Sequence, residues 1–332
     1  MPANRVKVLV TIPLGDELLR QIRDVSPRVE LVDAFELAAA EEGGDLSRRR
    51  EMDGLLADAE VVYGFGLPRN IVRRAPRLRW VQVISAGVDR YLDDEVRGSS
   101  LTLTNVSGIH ATAIGEFVLQ LMLMFTKQAM TCFRLKQERQ WQRLGTTTLR
   151  SKTVGIVGLG HIGREVARLS KAFGMRVVAT RRSATGASAA RDVDLLLPPK
   201  QLPRLLSESD FVVICVPLTA ETEGLIGEKE LGMMKPTACL INIARGRIVD
   251  EDALVRALEY RRIAGAGLDV FSKEPLPPES KLWALPNVIM SPHISGGMED
   301  YFERATEVFC RNLGRYLEGR RLMNVVNKDR GY

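Results

Sequence analysis

Cysteine, histidine and aromatic residues are all scarce in this 332-residue chain, which has four cysteines, three histidines and 6% aromatics. Cys132, Cys215, Cys239 and Cys310 lie far apart and form no C-x-x-C pair. That spacing argues against a disulfide framework or a metal site and suits a reducing cytoplasm. Cys215 and Cys239 fall in apolar runs, where a thiol behaves as a small hydrophobe. No apolar run is long enough for a membrane span or a signal peptide, so no membrane partner is expected. The formal charge is +6, carried in short groups such as Arg48 to Arg50, Arg73 with Arg74, and Arg320 with Arg321. No aromatics interleave them, so nucleic acid is not expected as a partner. A mild basic excess fits small anionic ligands. Repeats of solenoid period are also lacking.

What is present is an alternation of short apolar runs and helix-length segments. Val6 to Thr11, Val29 to Val32, Val61 to Tyr63, Trp80 to Ile84 and Leu101 to Thr104 read as strands, with a helix over Glu17 to Val25. A second array reads as six strands: Val154–Val157, Val177–Ala179, Phe211–Val216, Cys239–Ile243, Gly265–Leu268 and Val288–Met290. The pattern predicts an α/β chain with two doubly wound parallel-sheet domains, one spanning 1–107 plus 298–332 and the other 108–297. Between the arrays, Ala111 to Met130 reads as one long helix, apolar nearly all round and so buried between domains or in a subunit interface. Ser183 to Asp194 is small and polar and reads as a mobile loop. Tyr301 to Leu317 reads as an amphipathic helix returning to the N-terminal half.

The most informative stretch runs from Lys152 to Ser183. A short apolar strand leads into Gly158, Gly160 and Gly163 in the spacing G-x-G-x-x-G, and a helix and second strand follow. That context predicts dinucleotide binding, with a tight turn, backbone close to a pyrophosphate and amides at a helix start facing the phosphates. His161 and Ile162 fall inside the turn. An NAD site usually carries Asp or Glu about 20 residues on, for the ribose 2′-hydroxyl. Here stand Arg181, Arg182 and Ser183, which suit a 2′-phosphate and predict NADP(H) over NAD(H). The plainer alternative is a solvated basic loop.

Three residues placed just past consecutive strands could do chemistry: Arg245 in INIARG, Glu274 in LDVFSKEP and His293 in VIMSPHIS. A guanidinium can hold a carboxylate and polarise a carbonyl. An imidazole can give a proton to a developing alkoxide, and a carboxylate can orient it and favour its charged form. This set suits reduction of a small anionic 2-oxo acid, with a 2-hydroxy acid as product. Taken singly, Arg245 is a surface cation, Glu274 a turn residue and Asp269 a helix cap. His110, at the start of the long helix, reads as a cap or hinge. GFGLP (Gly64 to Pro68) and SAGVD (Ser85 to Asp89) follow strands in the other array, where open α/β sheets bind ligands. Tyr63, Phe65, Leu67 and Trp283 are candidates to line a substrate pocket.

The pieces SAGVD, GLGHIG, CVPLTAET, MKPTACLINIARGRIVDEDAL, AGLDVFSKEP and LPNVIMSPHISG stand in one order over nearly the whole chain. Together they resemble the D-isomer-specific 2-hydroxyacid dehydrogenase family. The resemblance implies that Arg245, Glu274 and His293 are catalytic, and that backbone amides of Ala86, Gly87 and Val88 grip the substrate carboxylate. It also places Val216, Pro217, Thr222, Ile243, Ala244, Asp269 and Gly296 along the cofactor, Asp269 on the nicotinamide amide. It implies a homodimer that uses the helix after Gly108, and a cleft that closes over substrate. Trp141 stands where some relatives place a tryptophan in the partner's active site. The basic residues at Arg181 and beyond depart from the usual acidic position and resemble NADP-dependent glyoxylate and hydroxypyruvate reductases. The chain shows no long C-terminal extension of the kind many phosphoglycerate dehydrogenases carry, which argues against that activity. Two rivals stay open: a dinucleotide-sensing corepressor-like protein, and an enzyme for another small anion such as formate or phosphite.

Overall fold

Buried apolar runs of three to five residues set the framework, because parallel strands covered on both faces need side chains that tolerate no water. A computed structural model of the chain describes residues 5–65 and 67–332. Gly66, inside the GFGLP loop, lies outside the described residues, as do residues 1–4. The chain divides into two compact units, residues up to Ile109 together with Met298–Tyr332, and His110–Gly297.

The first unit holds β1 (Val6–Val10), β2 (Val29–Asp33), β3 (Val61–Gly64), β4 (Trp80–Val83) and β5 (Thr102–Thr104). All pair in parallel in the order β2-β1-β3-β4-β5. That is the flavodoxin-like doubly wound order, which places loops for ligand binding at the carboxyl ends of the strands. The helix Tyr301–Leu317 packs on this sheet with the bounds its periodicity predicts. Phe309 stacks on Tyr63 at 4.1 Å between ring centroids and on Trp80 at 5.2 Å. Tyr63 is therefore core and fully buried, its hydroxyl 3.3 Å from Thr306 Oγ1. It does not line a pocket: the sequence shows an aromatic at a strand end but not which face of the sheet takes it.

The second unit holds β6 (Thr153–Val157), β7 (Arg176–Thr180), β8 (Ser188–Ala190), β9 (Val193–Leu197), β10 (Phe211–Ile214), β11 (Cys239–Asn242), β12 (Gly265–Leu268) and β13 (Val288–Met290). The sheet order is β13-β12-β11-β10-β6-β7-β9-β8. Counting from β6 and setting the hairpin strand β8 aside, this is the dinucleotide-fold order 3-2-1-4-5-6 extended by one strand. Two of these strands escape the reading of six. β9 pairs in parallel with β7, and β8 folds back on it antiparallel through a two-residue turn in which Asp192 takes φ 59°. Ser183 to Asp194 is thus half hairpin rather than loop throughout.

The expected long helix is two helices, Ala111–Thr126 and Ala129–Gln137. The break falls at Gln128, whose φ is 53°. Its polar neighbourhood explains the break: Lys127 Nζ donates to Thr147 O at 2.8 Å, Gln128 Nε2 to Gly145 O, and Thr147 N to Thr126 O at 2.9 Å. One face of the first helix is buried inside its own unit, against the sheet and the helix His161–Ala172. Leu121 and Phe125 cover Gly267 and Gly265 of β12, and Gly115 admits Glu165 and Leu169. At the sheet glycines an added Cβ would meet Leu121 Cδ1 at 3.0 Å and Phe125 Cε1 at 2.8 Å. Small residues on the strand and large ones on the helix let the two elements approach closely.

Candidate active site

The carboxyl ends of β11, β12 and β13 lie abreast, because Asn242 pairs with Leu268 and Leu268 with Met290. The turns that follow carry Arg245, Glu274 and His293. Each turn is pinned by a buried polar side chain.

After β11, Asn242 is 1% exposed. Its Oδ1 accepts from Ala244 N at 3.1 Å and its Nδ2 donates to Arg245 O at 3.0 Å. Both ends of the amide are used, so the turn presenting Arg245 has a single shape. Arg245 is half-buried, with extended backbone, and Nη1 donates to Ala244 O at 2.8 Å. Gly246 follows, and a Cβ there would lie 1.9 Å from Phe271 C and 2.0 Å from its carbonyl oxygen. The Arg245 turn therefore rests directly on the backbone of the turn that leads to Glu274, a crossing that only glycine permits.

Asp269 opens the β12 turn and is fully buried. Oδ1 accepts from Ser291 Oγ at 2.7 Å and Ile294 N at 2.8 Å, Oδ2 from Ser295 N at 2.9 Å, and its carbonyl from His293 N at 2.9 Å. The carboxylate expected on a cofactor amide here fastens the histidine turn. His293 needs that support, since its φ of 54° is a conformation that costs a side-chain-bearing residue of order 1–3 kcal/mol. His293 Nδ1 lies 2.8 Å from Glu274 Oε2, and Glu274 Oε1 accepts from Phe271 N at 3.0 Å. Glu274 is thus fixed by its own turn on one oxygen and orients the imidazole with the other. With Nδ1 engaged, Nε2 is the nitrogen left to exchange a proton with a ligand. Asn242 and Gly246 are absent from the sequence-based set because Asn242 works through its amide's bonds within its own turn and Gly246 through a close approach to another turn, and neither is marked by a motif.

The glycine turn sits at the topological switch point, between β6 and β10, where such sheets bind nucleotides. Gly158 has φ +103°, and a Cβ would fall 2.7 Å from Val216 Cγ1. A Cβ on Gly163 would fall 2.2 Å from Gly158 O. Helix His161–Ala172 starts here, and Arg164 N is the first amide to bond back, to Gly160 O at 3.1 Å. The amides of Gly160, His161, Ile162 and Gly163 thus lie ahead of the helix's own bonding, where a phosphate can take them. His161 is exposed and Ile162 packs on the core. Val216 flanks the turn, with Pro217 next. Thr222 closes its own loop, accepting from Thr219 N at 2.8 Å and donating to Pro217 O at 2.6 Å. Ile243 is core at 5% exposure, Ala244 is held by Asn242, and Gly296 gives close passage to His110, whose Cδ2 would meet a Cβ there at 3.0 Å. His110 caps nothing with its side chain.

Thr180 ends β7 and ties it to the glycine turn, its carbonyl accepting from Leu159 N at 3.0 Å and its hydroxyl from Gly158 N at 3.3 Å. Arg181, Arg182 and Ser183 follow, all exposed. Arg181 and Ser183 open on a cavity of about 330 Å³ walled by Thr185, Gly186, Ser188 and Leu196. The β8–β9 hairpin supplies part of that wall. Residues for a dinucleotide therefore fit: a glycine cradle, open amides and a basic, hydroxyl-bearing recess at the end of the second strand. Among the described residues no group of His, Cys, Asp and Glu could hold a metal ion.

In the first unit, the turn after β4 carries Ala86, Gly87 and Val88. Among the described residues none of their three amides donates to a group of the chain, whereas the Ala86 carbonyl accepts from Asn105 Nδ2 at 2.7 Å and the Gly87 carbonyl from Ser85 Oγ at 2.8 Å. Consecutive free amides form a concavity for an anion.

Comparisons with known proteins bear on this arrangement. Residues 119–295 match the D-isomer specific 2-hydroxyacid dehydrogenase, NAD binding domain. A glyoxylate reductase of Thermococcus gammatolerans is 36% identical, covering 86% of this chain and 85% of its own. One from Aeropyrum pernix is 35% identical over 98% of this chain and 97% of its own. A D-isomer specific 2-hydroxyacid dehydrogenase from Xanthobacter autotrophicus, solved with NADPH and MES, superposes with a TM-score of 0.84 at 28% identity, covering 99% of this chain and 100% of that one. An NADPH-dependent glyoxylate/hydroxypyruvate reductase from Sinorhizobium meliloti, solved with NADP and sulfate, gives 0.82 at 26% identity with the same coverage.

Proposed function

The chain belongs to the D-isomer-specific 2-hydroxyacid dehydrogenase family, and on that premise we propose that it reduces a glyoxylate- or hydroxypyruvate-type 2-oxo acid with NADPH in preference to NADH. The observation that carries the chemistry is the 2.8 Å contact between His293 Nδ1 and Glu274 Oε2, beside the Arg245 turn. A dinucleotide held by its phosphates at the glycine turn would supply the hydride for the substrate's C2, or take it back in the reverse direction. Arg245 holds the carboxylate and polarises the carbonyl through its planar fork. His293 Nε2 gives a proton to the forming alkoxide and removes it in the reverse direction. Glu274 fixes the ring so that Nε2 is aimed and Nδ1 is occupied. The open amides of Ala86, Gly87 and Val88 suit the charge that a 2-oxo acid carries.

The preference for NADPH rests on Arg181 and Ser183 at the recess and on the absence of a carboxylate at Thr180 to Ser183. We read the assembly as a homodimer. Met130, Phe133 and Trp141 are 43%, 58% and 99% exposed on and just beyond the helix Ala129–Gln137, and a second copy would cover them. Steady-state rates with glyoxylate and hydroxypyruvate against both cofactors test the reading. Turnover with a higher kcat/KM for NADPH supports it, a preference for NADH removes the cofactor assignment, and no turnover with any small 2-oxo acid removes the activity.

A further inference from the structure

The three free amides at Ala86, Gly87 and Val88 are aimed by their neighbours' carbonyls, because each N–H shares a rigid plane with the carbonyl before it. Ser85 O accepts from Val106 N at 3.4 Å, which aims the Ala86 amide. Ala86 O accepts from Asn105 Nδ2, which aims Gly87. Gly87 O accepts from Ser85 Oγ, which aims Val88. The last of these holds is conditional. Ser85 has one hydroxyl proton, and Tyr91 Oη, a second acceptor, lies 3.3 Å from the same Ser85 Oγ.

Arg90 decides where that proton goes. Its Nη2 lies 2.5 Å from Tyr91 Oη and 3.0 Å from Phe65 O, while the Tyr91 hydroxyl donates to Phe65 O. The guanidinium is held in place by the Phe65 ring, 3.8 Å from its centroid, and the Tyr91 ring, at 4.7 Å. With a cationic donor already on its oxygen, Tyr91 competes weakly for the Ser85 proton, which stays on Gly87 O.

We propose that Arg90 is a positioning residue for the substrate-binding turn, keeping the Val88 amide aimed by occupying Tyr91 Oη. The proposal rests on the reading of that turn as a carboxylate site. Without Arg90, Tyr91 Oη draws the Ser85 proton, and the Gly87–Val88 peptide is free to rotate. The proposal therefore makes an unusual demand: removing the Tyr91 hydroxyl as well should repair the damage.

The test compares wild type, Arg90→Ala, Tyr91→Phe and the double variant by KM for glyoxylate, kcat, KM for NADPH, the calorimetric Kd of the NADPH-loaded protein for oxalate, and melting temperature. Arg90→Ala is expected to raise the glyoxylate KM and the oxalate Kd about tenfold, the worth of one charge-assisted hydrogen bond, with kcat and the NADPH KM little changed. The double variant is expected to recover most of that loss. A double variant as impaired as Arg90→Ala or more so, or an Arg90→Ala protein with wild-type KM and Kd, overturns the proposal. So does a parallel fall in kcat, NADPH binding and melting temperature, which marks a general structural role. A wild type that reduces no 2-oxo acid defeats the proposed function, yet the oxalate affinities still rank the four proteins. A wild type that binds no oxalate defeats the positioning role too.

Discussion

Glu274 Oε2 and His293 Nδ1 meet at 2.8 Å although they come from turns after different strands, β12 and β13. Glu274 Oε1 is tied to Phe271 N, so the carboxylate cannot follow the imidazole if the ring turns. Glu274→Gln keeps the shape but removes the charge and places an amide where an oxygen faced the ring. An orienting carboxylate is worth up to about 10⁴ in kcat in the serine-protease template, and a loss of at least about tenfold is expected here. NADPH affinity, measured by fluorescence titration, should stay near the wild-type value. A variant with full kcat would show that the pair does not orient the imidazole.

Gly246 is expected to tolerate no side chain. A Cβ would overlap Phe271 C and O at 1.9 and 2.0 Å, and both partners are backbone, so neither can swing aside. Gly246→Ala should cost about 1–3 kcal/mol or more in denaturant unfolding, the scale of overpacking, and should depress kcat as the Arg245 and Glu274 turns part. Unchanged stability and kcat together would show that the crossing is looser than described.

These two predictions also mark what the sequence could and could not reveal. Arg245, Glu274 and His293 were legible because each follows an apolar run at a strand's carboxyl end. The glycine turn was legible because strand, spacing and helix agree. Asn242 and Gly246 were not: Asn242 looks like the last polar residue of a strand, with nothing to show that its amide closes the turn after it, and Gly246 looks like any loop glycine, its close approach to Phe271 being made across turns. The β8–β9 hairpin was obscured by the small, polar run before Val193, which buries little and lacks the alternation that marks a half-buried strand. The helix break was hidden by apolar periodicity that continues past Gln128, while the bonds that end the first helix come from residues 145–147.

Arg181→Asp should shift the choice of cofactor toward NADH. The substitution removes a fork for phosphate at the recess and places a carboxylate where a ribose hydroxyl can be met. The ratio of kcat/KM for NADPH to that for NADH is expected to fall by about tenfold or more, since one lost charge-assisted contact is worth about 1.5–3 kcal/mol. An unchanged ratio would assign the basic run to solvent.

His110 gives a pH dependence of defined sign. Burial holds its imidazole below the ordinary value of 6.5. The folded chain therefore binds this proton less readily than the unfolded chain, so the contribution to stability is intact above 6.5 and is lost as pH falls through the folded value. Unfolding free energies from about pH 8 to about pH 5 should decline less in His110→Gln than in the wild type. Parallel curves would show that this imidazole is not kept neutral by the fold.

The most direct test of the whole account is the turnover of His293→Ala with NADPH and glyoxylate, measured alongside its NADPH affinity. The account predicts a kcat lower by about two to four decades with cofactor binding retained, because proton transfer to the alkoxide is lost while the glycine turn is untouched. A variant that reduces glyoxylate at the wild-type rate would contradict it.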